Sequence, residues 1–176
     1  MKSAKIILLI YLVMCLGIDA IAQDLEVPDV RAIRAQVNTL NADNGLQKRV
    51  FEAEEFLGNV TDGGGSLTCF YKKNTVVKIV EWIGLSHGNT TREFYFNGGK
   101  LIFVYGKVCN FVQKGDGELD YTKTKIAYEG RYYLKENKTI KVVINEQEPA
   151  NEMGKGLIDN MFADAEQFLK MAIKKK

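Results

Sequence analysis

The chain has 176 residues, with 24 Lys+Arg against 22 Asp+Glu and a formal net charge of +2. That near-balance argues against nucleic-acid binding, which needs a clustered cationic excess to meet the phosphates. One histidine and three cysteines leave little material for a zinc site, and no cofactor or metal is implied.

The first segment reads as an export signal. Lys2 and Lys5 form a basic start, Ile6 to Gly17 is an apolar core, and Ala20-Ile21-Ala22 is a small-x-small cleavage site. The expected mature chain, 23–176, is a single domain of roughly 150 residues, enough for one core. It is expected to be periplasmic or secreted. Lipidation at Cys15 is disfavoured, because Met14 stands where lipoprotein processing wants a small side chain. The apolar run is too short for a comfortable membrane span.

Pro28 then opens an amphipathic helix, with Val30, Ile33, Val37 and Leu40 at helical spacing and Asn44-Gly45 as its stop. Residues 47–57 carry Val50, Phe51 and Phe56 among charges and read as a strand or a short helix; a hairpin sheet's need for an edge partner favours the strand. Thr61-Asp62-Gly63-Gly64-Gly65 is a breaker run.

A three-fold pattern follows. Cys69-Phe70-Tyr71-Lys72, a break, and Val76-Val77-Lys78-Ile79-Val80 return as Glu93-Phe94-Tyr95-Phe96, Asn97-Gly98-Gly99 and Leu101-Ile102-Phe103-Val104. They return again as Arg131-Tyr132-Tyr133-Leu134 and Ile140-Lys141-Val142-Val143-Ile144. Aromatic and β-branched runs around Gly/Asn/Lys breaks are β-hairpins. Strands are expected near 66–72, 75–83, 90–97, 100–108, 122–134 and 138–145. A helix near 155–173 closes the chain, with Leu157, Met161, Phe162, Ala165, Phe168, Leu169 and Ala172 on one face. The fold class is therefore α+β: an antiparallel meander of about six to seven strands with N- and C-terminal helices packed on one face.

Aligning the repeats on their aromatic pairs puts Phe70, Phe94 and Tyr132 in the core with Val77, Leu101, Phe103, Ile140 and Val142. Tyr71, Tyr95 and Tyr133 then share the other face with Val76, Ile102, Val104, Glu93, Arg131, Lys141 and Val143. Tyrosines and aliphatics mixed with charges suit a protein-binding surface. The plainer alternative is cross-strand support among good strand formers. The candidate binding residues are Tyr71, Tyr95, Tyr133, Ile102, Val104 and Arg131. Cys69 and Cys109 are candidates for a disulfide in an oxidising compartment, although strand alternation sets them on different faces unless a bulge intervenes.

Other motifs carry less. His87, beside Ser86, has no third group to make a triad and reads as a turn residue. Asp116-Gly-Glu118-Leu-Asp120 lacks the further ligands of a calcium loop. Gly63-Gly64-Gly65-Ser66 precedes a strand, so it does not form a phosphate cradle. Glu54 and Glu55 are sequence neighbours with nothing placing them across a cleft. Sequons at Asn59, Asn89 and Asn137 fall in expected turns, and no glycans are expected.

The phrases Thr91-Arg-Glu-Phe-Tyr-Phe-Asn-Gly-Gly-Lys-Leu-Ile-Phe-Val-Tyr105 and Tyr128-Glu-Gly-Arg-Tyr-Tyr-Leu134 give the chain a resemblance. Over roughly residues 28–145 it resembles small exported bacterial proteins of unknown function that look like relatives of the β-lactamase-inhibitor-protein fold. The resemblance implies helices backing an antiparallel sheet whose free face grips a partner, and it carries no functional residue over. The expected function is thus an exported, non-enzymatic binding domain, inhibitor-like, whose partner is a protein in the envelope or outside the cell. Whether it is an enzyme is left open, with the scarcity of catalytic side chains weighing against it. The alternative is a small-ligand-binding or hydrolytic domain with a pocket between helix and sheet, lined by Phe51, Phe56, Trp82 and Phe162.

Overall fold

A computed structural model describes residues 27–59, 61–115, 117–146 and 159–174. The export signal, the acylation candidate Cys15, Asp116 of the acidic loop and Leu157 of the last helix lie outside them. The first helix, α1 (Pro28–Ala42), has proline in its first turn and buries Val30, Ile33, Val37 and Leu40. The ambiguous segment is both things in turn: a strand, β1 (Gln47–Glu52), and a single helical turn, α2 (Ala53–Phe56). Glu52 and Glu55 cap that turn reciprocally, which gives Glu55 a structural role.

Six further strands follow: β2 (Gly65–Lys72), β3 (Thr75–Leu85), β4 (Gly88–Asn97), β5 (Lys100–Gln113), β6 (Leu119–Lys135) and β7 (Lys138–Glu146). They form one antiparallel sheet in sequence order, β1 to β7, and α3 (Met161–Lys174) closes the chain. The fold class is the expected α+β meander with terminal helices.

The three repeats are three copies of one hairpin. Each turns through two residues of positive φ: Lys73 and Asn74 at 47° and 69°, Gly98 and Gly99 at 56° and 78°, Glu136 and Asn137 at 52° and 60°. Positive φ at both central residues is the type I′ geometry, whose twist matches that of the flanking strands. Each hairpin then has a bulge at the same place. Tyr71 pairs with Val76 and Phe70 with Lys78, Phe96 with Leu101 and Tyr95 with Phe103, Leu134 with Thr139 and Tyr133 with Lys141. The extra residues are Val77, Ile102 and Ile140.

This register corrects the face assignment. Counted from the turns, Phe70, Tyr95 and Tyr133 are equivalent, and Tyr71 matches Phe96 and Leu134. Alignment on the aromatic pairs slips the first repeat by one residue, and a one-residue slip moves every side chain to the other face. Tyr71 therefore packs with Phe94, Val104 and Tyr132, while Tyr95, Phe103 and Tyr133 form the opposite face.

The helices are also corrected: they lie on opposite faces. Met161, Ala165, Phe168 and Ala172 of α3 pack with Leu67, Cys69, Ile79, Phe94 and Val104. Phe168 meets Phe56 and Phe94 edge to face. The α1 stripe packs on Tyr95, Phe103 and Tyr133, with the bulge residues Val77 and Ile102 beside them. Alternation leaves apolar side chains on both faces of these strands, so each face needs its own cover.

Exposed ion pairs at its two ends mark the lie of α1, which its buried stripe holds to the sheet. Asp29 in its first turn meets Lys135 of β6, and its C-cap Asp43 meets Lys72 of β2, both at 2.8 Å. The four strand steps between β6 and β2 span about 19 Å. Fifteen helical residues span about 22 Å, so α1 bridges them at the turn end of the sheet.

Candidate functional site

Where α1 stops covering its face, a cleft opens. Its volume is about 440 Å³. Arg34, Val37, Asn38 and Asn41 form the helical wall, at a spacing that places them on one flank of α1. Tyr95, Phe103 and Tyr133 form the floor, and Glu93, Tyr105 and Arg131 stand in the next row of the sheet.

The polar groups form two networks. In the first, Lys78 holds Glu93 at 2.7 Å and donates to the Asn41 amide oxygen at 3.0 Å. The single hydroxyl proton of Tyr95 has two acceptors in reach, that amide oxygen at 2.8 Å and the Glu93 carboxylate. Burial, followed by the neighbouring Glu93 charge, pushes the Tyr95 phenol well above its ordinary range. It stays a protonated donor.

In the second network, Glu129 accepts from the Tyr105 hydroxyl at 2.7 Å and from Arg131 at 2.8 Å, both on one oxygen. The Tyr105 hydrogen bond, with Arg131 adding to it, keeps the Glu129 carboxyl below its ordinary range. Burial and that same bond push Tyr105 upward. The Arg131 guanidinium lies 5.4 Å from the centre of the Tyr105 ring. From the helical wall, Arg34 reaches the Tyr133 hydroxyl at 3.4 Å, with its guanidinium 5.9 Å from that ring.

The site gathers three of the six candidate binding residues and separates the others. Tyr95 and Tyr133 line the cleft but are only 1% and 3% exposed, beneath α1. Arg131 lines it at the open side. Ile102 is a half-buried bulge residue against the α1 layer. Tyr71 and Val104 lie under α3, where the Tyr71 hydroxyl donates to the Ala172 carbonyl. An open face carrying all three tyrosines is thus absent: the helices cover them from both sides.

The alternative pocket is corrected in its lining. Phe51 and Phe56 are buried in the α3 core, while Trp82 and Phe162 are 37% and 38% exposed on opposite faces. Cys69 and Cys109 are both free and buried. In the sheet, Cys69 pairs with Ile79 on the α3 side, and Cys109 pairs with Asn89 on the α1 side, so the pleat keeps the thiols apart. His87 sits in the β3–β4 turn, its carbonyl accepting from Phe111 N–H at 2.8 Å. Among the described residues, no three His, Cys, Asp or Glu side chains gather as metal ligands, and no helix is long and apolar enough to cross a membrane.

Arg34, Asn38, Asn41, Tyr105 and Glu129 were not singled out by the sequence reading. A signal for them existed. Arg34, Asn38 and Asn41 flank the apolar stripe of α1 at spacings of three and four, and Tyr105 and Glu129 continue the period-2 rows through Phe103 and Arg131. Comparison with protein-family models, with curated proteins and with solved structures gives no match to this chain.

Proposed function

We propose that the protein is an exported, non-enzymatic binding domain whose recognition site is the cleft between α1 and the sheet. One observation carries the reading. A concavity of about 440 Å³ is walled by Arg34, Asn38, Asn41, Tyr105 and Arg131 over an aromatic floor. Small-molecule sites combine concavity, apolar lining and a few fixed polar groups in this way, at volumes of about 300–1,000 Å³. The carboxylates beside the cleft accept hydrogen bonds from Lys78, Tyr95, Tyr105 and Arg131, which favours fixed geometry over proton transfer.

A fragment-library screen read by amide chemical shifts tests the reading, using the mature chain and an Asn38→Trp variant that fills the cleft. Compounds are expected to shift Arg34, Tyr105 and Arg131 in the wild type and not in the variant. A screen in which no compound perturbs these residues would remove the proposal.

A second reading keeps a protein partner, on the part of the same face beyond α1. There Trp82 is 37% and Val50 52% exposed, with half-buried Val80 two positions before Trp82 on β3 and half-buried Thr68 of β2 between Val80 and Val50. Crosslinking from Trp82 in envelope extract tests it; a Trp82→Ser variant that recovers the same partners excludes this surface.

A further inference from the structure

We propose that β7 is a self-association strand. Two copies of the chain pair their β7 strands antiparallel about a two-fold axis beside Val143, joining two seven-stranded sheets into one. The sheet runs in sequence order from β1 to β7, so β7 is an edge, and its outer side meets no other strand among the described residues. An edge strand presents a row of backbone donors and acceptors to any chain that can add to it.

The two edges of the sheet differ in how they discourage that addition. The β1 edge is six residues long, carries Lys48 and Arg49 at adjacent positions, and turns at once into α2. Short length and charge are protections that native edges use. The β7 edge is nine residues long, and its second half is aliphatic: Val142, Val143 and Ile144 are 45%, 37% and 52% exposed. Three consecutive aliphatic residues put apolar side chains on both faces of the strand. Val142 and Ile144 stand beside Tyr132 and Gly130 on the α3 side, and Val143 beside Arg131 on the α1 side. A strand that covers them must itself be apolar on both faces.

A second β7 meets that requirement, and the sequence selects its register. The bulge at Ile140 interrupts the strand near its turn and leaves Lys141–Glu146 regular. Residues directly opposite one another in an antiparallel pair share a face. With Val143 opposite its own copy, Val142 lies opposite Ile144 in both directions, aliphatic on aliphatic. An axis at Ile144 would set Val142 against Glu146, and an axis at Val142 would set Ile144 against the bulged Ile140. Charge selects the antiparallel sense. Lys138 and Lys141 precede the aliphatic run, and Glu146 and Glu148 follow it in the sequence. Antiparallel copies bring the basic end of one strand to the acidic end of the other, whereas parallel copies bring like charges together.

Sedimentation velocity of the mature chain is expected to pass from monomer to dimer between about 1 and 100 µM, since a single strand pair makes a small interface. Val142→Lys and, separately, Ile144→Lys are each expected to weaken the dimer at least about ten-fold. Both side chains already reach solvent, so neither change needs to disturb the fold. Val50→Lys, on the opposite edge strand, is expected to leave the dimer unchanged. Val143→Cys, oxidised with glutathione disulfide, is expected to give a disulfide-linked dimer that the wild type, with Cys69 and Cys109 buried, does not form. A dimer that survives both lysine variants, or that Val50→Lys abolishes, overturns the assignment. A dimer in which Val143→Cys fails to crosslink overturns the register. A chain that stays monomeric over the whole range also overturns the assignment, and amide hydrogen exchange then identifies the true occupant. Alternate amides of an edge strand point away from the sheet, so slow exchange at Val142, Val143 and Ile144 alike means that the chain's own residues cover the edge. Fast exchange leaves the edge to a different protein.

Discussion

Arg92 on β4 and Asp164 on α3, 72 positions apart in sequence, form an ion pair that fastens the C-terminal helix to the middle of the sheet. The same guanidinium grips Glu81, its cross-strand neighbour on β3, which is only 2% exposed. Asp164 keeps contact with solvent and Glu81 does not. The two carboxylates therefore differ in what they lose if Arg92 is removed.

Arg92→Leu strands a buried carboxylate and is expected to cost about 3–5 kcal/mol in urea unfolding. Asp164→Asn leaves the Glu81–Arg92 pair intact and should cost about 1 kcal/mol or less. Replacing Glu81 and Arg92 together by leucine should recover most of the loss, since an apolar pair of similar volume needs no counter-charge. Equal costs for the two single variants would contradict this account.

Gly63 and Gly84 bring two backbones together at the far end of β3. The amide of Gly63 donates to the Gly84 carbonyl at 3.3 Å, and a Cβ on Gly84 would stand 2.5 Å from the Gly63 oxygen. The obstacle is backbone, so relief requires the strand or the loop to move. At Gly130 the obstacle is softer, the ends of the Tyr128 and Tyr132 rings. Gly84→Ala is accordingly expected to lower the urea midpoint more than Gly130→Ala, with losses on the order of 1–3 kcal/mol. The reverse order would show that the Tyr128–Tyr132 contact over Gly130 is the more rigid of the two.

Burial pushes the Cys69 thiol up from its ordinary 9.0 to about 11. Above pH 9 the unfolded thiol releases a proton that the folded one keeps, so the folded state binds more protons there. Stability from this group is then fully present below about pH 9 and lost as pH rises towards about 11. Tyr95, Tyr105 and Tyr132, all shifted upward first by burial, extend the loss further into alkali. Urea midpoints should fall between neutral pH and about pH 10, and less steeply in Cys69→Val. A thiol reagent that labels Cys69 in the native protein at neutral pH would contradict the burial behind this prediction.

Much of the fold was legible because strands and turns leave short-range marks. The α1 stripe of Val30, Ile33, Val37 and Leu40 gives its period and its buried side at once. The hairpins show in their Asn and Gly breaks. Which face each aromatic occupies depends on one integer, the distance from the turn, and the Cys-Phe-Tyr-Lys and Glu-Phe-Tyr-Phe phrases look alike in the wrong register. The turn pairs Lys73-Asn74, Gly98-Gly99 and Glu136-Asn137 supply the right one. The cleft was harder to see. It depends on α1 and α3 taking different faces, a choice made by long-range packing of Phe168 against Phe94 and of Leu40 near Tyr95. No local pattern around either helix records that choice. Arg131, Tyr95 and Tyr133 were found as a composition, without the helix that turns them into a concavity.

The turns provide the last prediction, because the three hairpins differ in how well their residues suit one backbone. Type I′ needs positive φ at both central positions, which glycine adopts without penalty and asparagine at little cost. Gly98-Gly99 meets that requirement, whereas Lys73 and Glu136 hold φ of 47° and 52° with full side chains. Changing Lys73-Asn74 to Asn-Gly should therefore stabilise the protein by about 0.5–1 kcal/mol, and changing Glu136-Asn137 likewise. Gly99→Ala, at a φ of 78°, should destabilise by about 1 kcal/mol or more although nothing lies within 4 Å of its new Cβ. The two turn replacements are far enough apart to add. A Gly99→Ala variant as stable as the wild type would show that the middle hairpin uses a different turn, and the register that puts Tyr95 with Phe70 instead of Tyr71 would fail with it.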